Sequence, residues 1–204
     1  MIKELKQLYE LKRLGKKPGE IRLAADNWKN DFQRLVAILL SARTTDEITI
    51  KSCEKLFRRY PNAEKLYRAN PKDIEHLIKS VNFYRNKTKS LLKLSKVLIE
   101  KYNGKVPKNF DLLIQLPGVG RKTANVFLAS CGKDAIGVDT HLNYISRKLG
   151  WTKNTKPEKI EEDLKKIFPK KYWKMINPIA VRFGKTYTNK KIKDKLLEKI
   201  KKIK

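Results

Sequence analysis

Apolar residues recur at α-helical spacing along most of this chain, and turn signals cut the pattern into short pieces. Phe32, Leu35, Val36, Leu39 and Leu40 fall at i, i+3, i+4, i+7 and i+8, so they share one helical face. Thr44 and Glu47 have capping-box spacing and open a second helix through Ile48, Cys53, Leu56 and Phe57, which Pro61 stops. Asn70-Pro71 reads as a cap followed by proline at the first helical position, with Ile74, Leu77, Ile78 and Val81 along one face. Leu91, Leu94 and Leu98 belong to a further helix that ends at Asn103-Gly104. A short helix is predicted over 110–115 and another over 121–131. One more starts near Asp139, with Leu142, Ile145 and Leu149 inward. Ile160, Leu164, Ile167 and Phe168 mark the next, and residues 172–183 another. Strand-like alternation is nearly absent. The expected class is all-α, built from many short helices.

Charge narrows the partners. The chain carries 49 Lys+Arg against 21 Asp+Glu, a net +28 spread along its length. A folded surface with that bias attracts polyanions, so nucleic acid is the leading partner. A compositional drift towards Lys and Ile would have raised Glu as well, and Glu has not kept pace. With 204 residues, 40% of them hydrophobic, the chain can build one domain or two small ones sharing a core. No stretch approaches the roughly 20 apolar residues of a membrane span. The opening "MIKELKQLYELKRLGKK" is charged throughout and lacks an apolar signal core. A soluble, cytoplasmic protein is expected, nucleoid-associated in a prokaryote. Cys53 and Cys131 are far apart with no C-x-x-C, so neither a zinc site nor an iron–sulfur cluster can be built from them, and they read as buried, inert thiols. In "TNKKIKDKLLEKIKKIK", Ile192, Leu196, Leu197, Ile200 and Ile203 recur at helical spacing under a lysine coat. The stripe predicts a terminal helix packed on the body; a DNA-contacting or membrane-surface helix is the alternative.

The stretch that carries chemistry is "LPGVGRKTANVFLASCGKDAIGVDTHL", Leu116–Leu142. Pro117 and Gly118 force a tight turn, and Gly120 permits a close approach or a positive φ. A helix begins at once. Its first amides have no intrahelical partner and carry the positive end of the helix dipole, which suits a DNA phosphate. Gly118, Val119, Gly120 and Arg121 are therefore the expected backbone-gripping residues, and such a grip reads no base. Lys122 lies in the first helical turn, where the dipole disfavours a cation. That field, with partial burial, would lower its pKa and free an amine nucleophile; the other reading is one more phosphate-binding lysine. Asp139 reads as an N-cap, which keeps a carboxylate ionised. Capping is compatible with stabilising a cationic sugar or assisting an attacking amine.

"LPGVGRKTANVFL" together with "VDTHL" resembles the endonuclease III branch of the helix–hairpin–helix DNA glycosylase superfamily. "LVAILLSARTTDE" (Leu35–Glu47) is similar to that family's helix and first DNA-probing loop, and "VNFYRNKTKSL" (Val81–Leu91) to its second. The resemblance is good over about residues 30–150 and loose elsewhere. It implies a bilobal fold with a DNA-binding cleft: a six-helix domain over 24–132, and a second lobe made of 1–23 plus 133–204. It implies a flipped nucleotide, attack on C1′ by Lys122 through a Schiff base, and assistance by Asp139. Lysine at this position points to a base-excision-repair glycosylase with AP-lyase activity, most simply on oxidised pyrimidines. Its rivals are a monofunctional or mismatch-specific glycosylase and a non-catalytic DNA-binding module.

Arg43 and Phe83 stand where the probing loops of the family commonly carry glutamine and leucine, and are expected to fill the hole left by the flipped base. Ser41 and Thr44 flank Arg43 and are taken as DNA contacts with it. Lys87 resembles a basic position near the damaged strand, and His141 matches the motif "VDTH". Most of the family carries four cysteines near the C-terminus for a [4Fe–4S] cluster. Here "RFGKTYTNKKIKDKLLEKIKKIK" has none, and Thr188 falls about where the first would be, so no cluster is expected. A monomer acting on damaged or abasic double-stranded DNA is the expectation.

Overall fold

A computed structural model of the chain describes residues 2–204. The regular structure of these residues is helical throughout: twelve α-helices and one 3-10 turn. They divide into two compact units. One is Leu23–Cys131. The other joins the residues up to Arg22 with Gly132–Lys204.

The Leu23–Cys131 unit contains α2 (Asp31–Ser41), α3 (Asp46–Arg59), α4 (Ala63–Tyr67), α5 (Pro71–Leu77), α6 (Tyr84–Tyr102), α7 (Phe110–Leu113) and α8 (Arg121–Ser130). α2 is its centre: Leu35, Val36, Ala37 and Leu40 are fully buried, and α3, α6 and α8 pack around it. Leu56, Leu66, Ile74, Leu91, Leu94, Leu98 and Phe127 complete the core. Local signals set most of these helices. Asn30, Asn62, Asn70 and Asn109 each accept a first-turn N–H of the helix that follows. α6 ends on Asn103 in the left-handed region.

Two local expectations change. Thr44 and Glu47 do not form a capping box. The cap is Thr45, whose hydroxyl accepts the Ile48 N–H, because Thr44 Oγ1 is engaged by the Asn82 N–H at 3.1 Å. The five-residue α4 left no periodic trace in the sequence, being barely longer than one turn.

The other unit contains α1 (Lys3–Leu14), α9 (Thr140–Leu149), α10 (Pro157–Ile167), α11 (Trp173–Thr186) and α12 (Lys190–Lys201), with the 3-10 turn at Lys170–Tyr172. Leu8, Leu11, Leu142, Ile145, Leu164, Phe183 and Leu197 form its core. Gln7 ties the chain ends together. Its carboxamide accepts the Trp151 indole N–H at 2.7 Å and donates to the Ile200 carbonyl. The C-terminal stripe packs as expected through Leu197 and Ile200, with Leu196 and Ile203 partly covered. Ile192 does not join it and is 53% exposed. No helix among the described residues is long and apolar enough to cross a membrane.

Candidate active site

The hairpin is closed by two backbone bonds, Leu116 N–H to Leu113 and Val119 N–H to Leu116, each 3.0 Å. Gly118 sits at φ +80, and a Cβ there would lie 3.0 Å from Ser90 Cβ and 3.1 Å from Leu39 Cδ1. Conformation and space both demand glycine. Gly118→Ala is therefore expected to cost about 1–3 kcal/mol, read as a lower urea midpoint. Gly120 does not share these constraints: its φ is −92 and a Cβ there meets nothing within 4 Å. Gly120→Ala should unfold at the parent's midpoint. Gly120 is the N-cap of α8 and has no side chain to cap with, so the Lys122 and Thr123 amides begin the helix without one. Val119 departs from the expected grip. Its side chain is buried and its N–H belongs to the turn, which leaves it no donor for an anion. Arg121 is exposed, its guanidinium 5.1 Å from the Phe110 ring centre. Lys122 is half-buried on the first turn of α8.

The probing loops meet in the same unit. Arg43 (φ 57) and Phe83 (φ 59) both adopt the left-handed conformation, unusual for residues with bulky side chains. The Arg43 guanidinium lies 5.1 Å from the centre of the Phe83 ring. Phe83 is 54% exposed, so it is not a core residue. The Ser41 hydroxyl donates to the Ile38 carbonyl at 2.8 Å. Asn82, which sequence reasoning passed over, bridges the loops: its carboxamide donates to the Arg43 carbonyl and its N–H to Thr44. Nothing in the sequence marks that role, since the two residues are distant in the chain. Lys87 differs most from its expected place at the damaged strand. It is 9% exposed and its ammonium donates to the Leu40 and Ala42 carbonyls, each at 2.7 Å.

Asp139 and His141 belong to the other unit. Asp139 is half-buried at the N-cap of α9, where Oδ1 accepts the Leu142 N–H at 2.9 Å. A buried run, Ala135–Val138, leads into it, and the buried Asn177 of α11 donates to the Gly137 carbonyl at 2.6 Å. That anchor was also invisible in the sequence. The His141 imidazole packs directly on the Gly184 backbone, where a Cβ would collide with the ring. Beside it, Thr140, His141, Tyr144, Lys190 and Lys193 line a cavity of about 310 Å³. Burial, and then its bond to Asp194, push the Tyr144 phenol up to about 12.

The cysteines are not alike. Cys53 is buried, as expected. Cys131 is half-buried and its thiol donates to Asp31 Oδ1 at 3.6 Å, beside the Arg34 guanidinium; burial, then Asp31, raises its pKa. Two thiols do not fit a four-cysteine cluster. Among the described residues no group of three or more His, Cys, Asp or Glu is arranged to hold a metal ion.

The profile of the HhH-GPD superfamily base excision DNA repair protein matches residues 36–170. Endonuclease III of Thermotoga maritima is 45% identical over 155 residues, 76% of this chain and 73% of that protein. Endonuclease III of Bacillus subtilis is 39% identical over 160 residues, 76% of this chain and 72% of that one. A trapped covalent intermediate of endonuclease III with DNA, an estranged-adenine complex, superposes with a TM-score of 0.81 at 34% identity, covering 93% of this chain and 89% of that structure. The fold and the hairpin define a helix–hairpin–helix DNA-binding protein. The chain belongs to the HhH-GPD superfamily of base excision DNA repair proteins. It binds DNA, and its activity is that of a DNA glycosylase coupled to an AP lyase.

Proposed function

We propose that Lys122 is the amine nucleophile and Asp139 the assisting carboxylate of a glycosylase/AP lyase that removes oxidised pyrimidines from double-stranded DNA. One observation carries the reading. Lys122 is a half-buried cation on the first turn of α8, whose opening amides have no side-chain cap. Stability would favour an acidic residue there. In the proposed reaction the Lys122 amine attacks C1′ of a flipped nucleotide, the bond from C1′ to the base breaks, and the base departs. The ammonium formed by the attack gives up one of its two protons, and the C1′–O4′ bond then opens with O4′ taking up a proton, which leaves a protonated Schiff base. Removal of a C2′ proton then expels the 3′ phosphate. Asp139, held at its cap, supports attack and offsets positive charge on the sugar.

The DNA backbone is gripped by the α8 amides beside Gly118, Gly120 and Arg121. The open space at Gly120 lets a phosphate approach the main chain. Arg43 and Phe83 fill the vacated stack, and Arg43 is suited to bond an opposite guanine bidentately. Ser41 and Thr44 shape the Arg43 loop, and His141 borders the Asp139 cap. The protein acts as a monomer, and it works without an iron–sulfur cluster, since its two cysteines cannot supply four thiolate ligands. The test is a set of duplexes carrying thymine glycol, a G·T mismatch or 3-methyladenine. Release of the base with strand cleavage from thymine glycol, and little from the others, is the expected result. Preference for the mismatch without cleavage would replace the proposal with a monofunctional one.

A further inference from the structure

We propose that Lys87 is a positioning residue, whose ammonium clamps the Arg43 loop to the base of α6 so that Arg43 and Phe83 present a single paired probe. This rests on the reading of Arg43 and Phe83 as stack-filling residues.

Lys87 contacts Phe83 and both chain neighbours of Arg43. Its backbone N–H donates to the Phe83 carbonyl at 3.0 Å. Its side chain reaches the Leu40 and Ala42 carbonyls, each at 2.7 Å, and Thr44 Oγ1 at 3.4 Å. The Ala42 and Thr44 acceptors bracket Arg43. An ammonium has three donors and no acceptor, so these three partners use it fully. Leu40 and Ala42 lie at the C-terminal end of α2, where carbonyls lack helical partners and the dipole favours a cation. Burial pulls the amine down to about 8, with Cys53 acting in the opposite direction, so it stays protonated at neutral pH. A buried cation is costly unless it is hydrogen-bonded, and a phosphate ligand needs its charge in the open. This lysine is invested in the loop.

The backbone says the same. Arg43 and Phe83 hold left-handed conformations that persist only where the surroundings over-determine them. Lys87 holds the Ala42 carbonyl and Asn82 the Arg43 carbonyl, and the Arg43–Phe83 contact closes the pair.

The test is a double-mutant cycle on single-turnover base release from a thymine glycol duplex. A parallel readout is the fluorescence of 2-aminopurine opposite a tetrahydrofuran abasic analogue. Lys87→Met is expected to slow base release about tenfold, as displacement of a positioned group does, and to remove most of the fluorescence rise on binding. On an Arg43→Ala background it should add less than about a twofold loss, the mark of two residues acting as one unit. Asn82→Ala is exposed and safe for folding. It should show a smaller loss that also vanishes on that background, and it decides the matter if Lys87→Met fails to fold. A full tenfold loss from Lys87→Met on the Arg43→Ala background would overturn the inference, because Lys87 would then act through stability or its own DNA contact. Parent-like release by both Lys87→Met and Asn82→Ala would overturn it too. An Arg43→Ala variant that releases base and reports fluorescence like the parent would instead sink the reading of Arg43, and the inference with it.

Discussion

Mixing the protein with a duplex containing one abasic site and sodium borohydride is expected to give a covalent protein–DNA adduct, and Lys122→Gln is expected to abolish it. Borohydride reduces an imine to a stable bond, so the adduct reports a Schiff base. Strand cleavage should fall by at least about 10³-fold, because the nucleophile acts in every step. The fold should not suffer. Removing a cation from the first turn of α8 relieves an unfavourable interaction with the helix dipole of about 0.3–1 kcal/mol, so the unfolding midpoint should hold or rise slightly. This opposite movement of activity and stability separates a catalytic lysine from a structural one. DNA binding without an adduct in the parent would make Lys122 a phosphate ligand only. Lost cleavage with surviving base release in Lys122→Gln would favour a monofunctional mechanism.

Asp139→Asn should lower base release by about 10²–10⁴-fold while leaving the protein folded. Asn is as good an N-cap as Asp, so the Leu142 N–H keeps its acceptor and stability should change by only a few tenths of a kcal/mol. Asp139→Ala removes charge and cap together and should cost about 1 kcal/mol more than Asn. Comparing the two by single-turnover kinetics and urea denaturation separates chemistry from capping. A non-catalytic binding module would be indifferent to Asp139→Asn in every assay.

Both residues at the centre of these predictions sit in local signals that the sequence shows, and the family resemblance gave those positions their chemistry. Lys122 is identified by the turn before it and the helix it opens, and Asp139 by the buried run before it and the amide three residues after it. The same locality made the helix cap at Asn70 readable. Gly120 shows what local reading leaves open. Glycine there permits a positive φ or a close approach; the left-handed turn falls at Gly118 instead, and Gly120 keeps only the open space for an approach.

The sequence by itself determined the all-α class and the hairpin, since helical periodicity, turn chemistry and dipole effects act over a few residues; the resemblance carried by its motifs pointed to the family and to the two residues proposed for chemistry. Only the tertiary structure decided what Lys87, Asn82 and Asn177 do. Each is an ordinary polar residue until folding brings it against carbonyls about forty positions away. A buried ammonium or carboxamide must find acceptors wherever the chain supplies them, and no local pattern records which segment that will be.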